Sequence, residues 1–106
     1  PCPSCRQLDA KLTELLEQYP EQIAIVMLPV PMNSDCNPHV GRTFPAFRKS
    51  CTYVNLAMGV RQADRTLFGD YHTFLMTGGR VPSVGKAEAK AEELERERAA
   101  AAQAAE

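Results

Sequence analysis

Residues 22–30, Gln-Ile-Ala-Ile-Val-Met-Leu-Pro-Val, form a nearly unbroken apolar run in a chain otherwise patterned for helices. A β-branched run of this length without polar alternation reads as a strand buried on both faces, as in sheets covered by helices. Pro29 and Pro31 end it. One strand cannot make a sheet, so most of the sheet is expected to lie outside this segment. The run is also far shorter than the ~20 apolar residues of a membrane-crossing helix.

The flanks carry helical periodicity. Over residues 2–19 the apolar positions are Leu8, Leu12, Leu15, Leu16 and Tyr19, the stripe of a core-facing helix. Asp9, Lys11, Glu14, Glu17 and Gln18 fall on its wet side, Pro3 suits its first turn, and Pro20 stops it. Residues 32–45 hold Asn33, Ser34, Asp35, Asn37, Pro38 and Gly41 and read as a loop with turns.

Three helical segments follow. Residues 47–62 offer Cys51, Val54, Ala57, Met58 and Val60 for burial, and residues 63–76 offer Leu67, Phe68, Tyr71, Phe74 and Leu75. Thr77-Gly78-Gly79 ends the second segment. The third opens at Pro82-Ser83 and turns Val84, Ala87, Ala91 and Leu94 to one side. Beyond Leu94 its apolar side is only alanine, so the tail is expected to fray or project.

At 106 residues the chain suits one domain: a first helix and strand over 1–32, a loop over 33–46, a helical block over 47–98, and an Ala-rich helical tail over 99–106. The net charge is −1, with no basic stripe, which argues against a nucleic-acid partner. The chain opens at Pro1 directly on a cysteine pair, without the strand that normally precedes such a motif. It is therefore expected to be a fragment, and any targeting signal would lie upstream.

Cys2-Pro3-Ser4-Cys5 at the start of a helix is the feature that carries chemistry. Thiolate is the attacking species in disulfide exchange, and the unpaired amides and dipole of a helix N-terminus favour an anion there. Two intervening residues set Cys5 one turn behind Cys2, so the second sulfur can close a small ring. Cys2 would attack a substrate disulfide and Cys5 would release the product. No cofactor is needed, because the cysteines carry the electrons.

Two other readings stay open: an inert disulfide, and a non-catalytic zinc-stabilised binding module using Cys2, Cys5, Cys36 and His39. Against zinc, the first pair opens a long amphipathic helix, and a hydrophobic strand intervenes. Covalent haem is disfavoured because Arg6, not histidine, follows Cys5. Cys36 and Cys51 form a second pair, read either as a structural clamp from the loop to the next helix or as an electron relay. His39 is expected to be solvated, His72 to be a boundary residue, and Met27, Met58 and Met76 to fill the core. Four cysteines in two pairs lean toward an extracytoplasmic compartment.

Pro1-Cys2-Pro3-Ser4-Cys5-Arg6 opening a helix resembles the active site of thioredoxin-fold disulfide oxidoreductases. The helical stretch after the strand resembles the insertion of the DsbA-like branch. Residues 28–37, Leu-Pro-Val-Pro-Met-Asn-Ser-Asp-Cys-Asn, together with Cys51, the aromatic helix over 68–75 and Val81-Pro82-Ser83, are similar to bacterial thioredoxin-like domains. Such domains occur alone or joined to vitamin K epoxide reductase-like membrane proteins. The resemblance reaches to about Leu94. It implies an α/β, thioredoxin-like fold with a helical insertion, here lacking part of the sheet. It further implies Cys2 as nucleophile, Cys5 as resolving cysteine, and protein thiols or disulfides as substrates. The redox partner would be another protein, such as a vitamin K epoxide reductase-like one, in a periplasmic or membrane-tethered setting. The first strand and the family's cis-proline are missing, and Pro82, which precedes a helix, does not replace the latter.

Overall fold

A computed structural model describes residues 3–105. Among these the secondary structure is entirely helical: α1 (Pro3–Gln18), α2 (Ser50–Ala63), α3 (Phe68–Met76) and α4 (Val84–Ala104), with 3-10 turns at Pro45–Phe47 and Arg65–Leu67. The expectation of an α/β, thioredoxin-like fold is corrected by this architecture. A thioredoxin fold needs a β-sheet, and no strand occurs among the described residues.

The core is a three-helix cluster. Tyr53, Ala57 and Val60 of α2 meet Tyr71 and Leu75 of α3 and Ala87, Ala91 and Leu94 of α4. Small residues at 57, 87 and 91 allow close helix approach, and the two tyrosines fill the space between. Each buried tyrosine also finds a partner for its hydroxyl, as buried phenols require. Tyr71 donates to the Ala87 carbonyl at 2.8 Å and Tyr53 to the Pro82 carbonyl at 2.6 Å. Arg98, one turn beyond Leu94 on the same side of α4, bonds Asp64 at 2.5 Å. From 95 onward α4 is otherwise exposed.

Local signals set the ends of these elements. Asp64, in extended backbone, separates α2 from the 3-10 turn, and its carboxylate accepts from the Thr66 amide. The periodicity over 63–76 is therefore shared between that turn and α3. Ser83 caps α4 by accepting from the Lys86 amide at 3.2 Å. Gly78 closes α3 at φ +92°, a left-handed conformation that glycine adopts at no steric cost.

Residues 22–30 depart most from expectation. Residues 23–32 carry no helix or strand, and their exposure alternates strictly, with odd positions half-buried and even positions open, the period-two pattern of an extended segment. Val26, Leu28 and Val30 are 77%, 75% and 65% exposed. The backbone from Ala24 to Leu28 makes no backbone–backbone hydrogen bond among the described residues. The period-two alternation of the run survives, but strand structure requires a neighbouring strand, and none is present among the described residues. Helix α1 forms where the periodicity places it, yet only Leu12 of its stripe is half-buried, while Leu8, Leu15, Leu16 and Tyr19 are exposed.

Candidate active site

Cys2 lies outside the described residues. Cys5 falls in the first turn of α1, exposed and disulfide-bonded. The amides of that turn have no partners inside the helix, and the dipole favours negative charge near them. A sulfur at this position gains stability as a thiolate when its disulfide opens.

What holds this helix in place is polar. Arg6, next to Cys5, spreads its guanidinium over the C-terminal carbonyls of α3: Nη1 donates to Met76 at 2.6 Å and Gly78 at 3.1 Å, and Nη2 donates to Leu75 at 2.9 Å. A guanidinium suits this position because its fork reaches several acceptors, and a cation opposes the negative end of α3. One turn along α1, Asp9 bonds His72 Nε2 of α3 at 2.6 Å. The His72 ring stacks on Phe68 with centroids 6.4 Å apart, and Arg61 covers the Phe68 ring at 5.6 Å.

A cleft of about 440 Å³ opens beside this seam. Asp9, Leu12 and Leu16 of α1 form one wall, Ile25, Val26 and Met27 a second, and Arg61, Arg65 and Phe68 contribute to the third. Cys5, Asp9, Leu12 and Leu16 recur at intervals of four, three and four, so the dithiol cysteine and the cleft lining share one stripe of α1. The arrangement can therefore expose a sulfur at one end of a groove with apolar walls and a cationic rim.

Cys36 and Cys51 are joined, with Cα atoms 6.0 Å apart, tying the loop to the first turn of α2. Beside this crosslink Asn33 is buried and organises the loop. Its Nδ2 donates to the carbonyls of Phe47 and Arg48 at 3.2 and 2.9 Å, while its Oδ1 accepts from the Asp35 amide at 2.8 Å. With its sulfur bonded to Cys51, Cys36 does not supply a thiolate to the four-residue zinc set, of which Cys2 lies outside the described residues. His39 is exposed in the same loop. Met27, Met58 and Met76 are half-buried, Met27 in the cleft wall.

Sequence reasoning missed Arg6, Asp9, Arg61, Arg65 and Asn33 as organising residues. A local signal existed for Asp9, which follows Cys5 at helical spacing, and for Asn33, which opens an Asx-type turn. For the arginines there was none: the carbonyls that Arg6 meets are 69 or more residues away, and the cleft that Arg61 and Arg65 line is shared with residues of α1 and with residues 25–27. Among the described residues, no helix is long and apolar enough to cross a membrane. No family model, curated protein or solved structure matches the chain.

Proposed function

We propose that this protein exchanges disulfides with protein thiols through Cys2 and Cys5. The reading is carried by one observation: Cys5 stands exposed and disulfide-bonded in the first turn of α1. An exposed disulfide at a helix N-terminus is open to attack, and the same amides stabilise the thiolate that leaves.

Starting from the dithiol, the Cys2 thiolate attacks a substrate disulfide. One sulfur–sulfur bond forms between Cys2 and the substrate as the substrate's own bond breaks, and the departing substrate thiolate takes up a proton. Cys5 then loses its proton and attacks Cys2, releasing the second substrate thiolate. The substrate gains two electrons and the Cys2/Cys5 pair loses two. Oxidation of a substrate dithiol is the same sequence in reverse, with direction set by the relative reduction potentials. Oriented water or a metal has no part in these steps.

The test is a turnover assay with a disulfide-linked fluorescent peptide and glutathione as reductant. Cys2→Ser should abolish turnover, whereas Cys5→Ser should accumulate a mixed disulfide between Cys2 and the peptide. Normal turnover by the Cys2→Ser protein would overturn the assignment of the nucleophile.

A further inference from the structure

We infer that the cleft between α1 and residues 25–27 binds substrate as an extended polypeptide with apolar side chains at alternate positions and one acidic side chain. This rests on the exchange reading and names its substrate class. Four observations carry it. From Ala24 to Leu28 the exposure alternates residue by residue, as along an extended segment, and the backbone makes no backbone–backbone hydrogen bond among the described residues, an open edge that an added strand would satisfy. Leu12, Leu16, Ile25 and Met27 make the walls apolar, so they accept alternate side chains of such a strand.

Charge selects among apolar peptides. Arg61 and Arg65 line the cleft, and neither guanidinium is paired with a carboxylate among the described residues. The carboxylate in the lining, Asp9, is already bonded to His72. The free charge at the rim is therefore positive and complements an acid. The reach also fits. At ~1.5 Å per helical residue, Leu16 lies about 16 Å along α1 from Cys5, the length of roughly five extended residues. A peptide filling the groove would bring its own cysteine to the dithiol with no further contact.

The experiment uses cysteine-free fluorescent decapeptides of alternating valine and threonine with a central glutamate or a central lysine. Binding is read by anisotropy on the whole protein. The glutamate peptide should bind more tightly, and Arg65→Glu, an exposed substitution, should weaken it about fivefold and improve the lysine peptide. Methylating alternate peptide amides should abolish binding, since it removes the donors a paired strand needs. Equal affinity for both peptides, indifference to Arg65→Glu, or indifference to methylation would each overturn the inference. So would self-association of the chain through residues 22–32 that excludes the peptide. Because these peptides lack sulfur, loss of binding with exchange intact removes this inference alone. Binding without exchange removes the redox reading instead and leaves the ligand class standing.

Discussion

The Asp9 carboxylate meets His72 Nε2 at 2.6 Å across the seam between α1 and α3, two residues separated by 63 positions in the chain. With the Arg6 guanidinium on the α3 carbonyls, this contact fixes α1 onto the three-helix core. No residue of α1 from Ser4 to Gln18 is buried, so the docking depends on directional polar bonds more than on area removed from water. Such bonds lose their value when one partner goes, and the groups left behind return to water at little cost.

Arg6→Ala should therefore free α1 without unfolding the core. Hydrogen bonds to charged groups contribute about 1.5–3 kcal/mol, so opening of α1 should become at least tenfold more frequent. Amide hydrogen exchange along residues 6–16 should accelerate by that factor, while the amides around Tyr53, Tyr71 and Ala91 keep their protection. Uniform acceleration over the whole chain would instead make Arg6 part of the cooperative core.

Replacing Cys36 and Cys51 together by alanine removes a crosslink across a sequence separation of 15. Loop-closure entropy for that length corresponds to ~3 kcal/mol. Asn33 retains its bonds to Phe47 and Arg48, so the loop should keep its native geometry in the folded state. Urea unfolding of the double variant should show a midpoint lowered accordingly, with turnover at the Cys2/Cys5 pair retained wherever the protein is folded. Lost turnover in the folded variant would mark the second pair as a relay.

Local pattern made the helices legible and left the tertiary arrangement obscure. Periodicity alone located α1, the two segments around Ala57 and Tyr71, and the Ser83 start of α4, because each depends on neighbours within a turn or two. It also marked Ala57, Val60, Tyr71, Leu75, Ala87, Ala91 and Leu94 for the interior. Tyr53 escaped notice because its burial depends on the Pro82 carbonyl, 29 residues away, accepting its hydroxyl. The run over 22–30 misled for a related reason. Its composition dictates an extended backbone, but a sheet is a property of two segments, and the second cannot be read from the first. Leu8 and Leu15 misled likewise: an apolar stripe shows what a helix can bury, and the partner decides whether it does.

Burial, the negative charge of Glu88 and neighbouring Tyr53 push the Tyr71 hydroxyl from 10.0 up to about 12. Between these values the unfolded chain loses the proton while the folded chain keeps it, so stability present below pH 10 declines as pH rises toward 12. Tyr71→Phe should flatten this alkaline limb and cost ~1 kcal/mol at neutral pH through loss of the bond to Ala87. Unfolding midpoints measured from pH 8 to 12 would check both effects. An unchanged alkaline slope in the variant would assign the limb to other groups.

Hydrogen bonds from the Thr66 hydroxyl and amide, with the Arg98 guanidinium nearby, hold the Asp64 carboxyl below its usual range. Its contribution is present above the unfolded pKa and fades as pH falls through the lower folded value. Thr66→Val deletes the hydroxyl at 2.6 Å and keeps the amide. Carbon-detected NMR titration should then place the Asp64 pKa higher than in the parent, moving toward 3.8. A pKa unmoved by the substitution would shift the credit to Arg98.

Leu28 is 75% exposed and does not line the cleft, although the composition of its segment suggests a core strand. The alternation over 23–32 leaves its surroundings open, so its side chain contributes little to folding. Leu28→Lys should change stability by no more than about 0.5 kcal/mol, the range of ordinary surface substitutions. A buried leucine would instead cost several kcal/mol on replacement by a charge. Thermal unfolding of the variant and of the parent should be nearly superimposable. A large loss of stability would mean that residues 22–30 are packed, and the open edge proposed for substrate would have no basis.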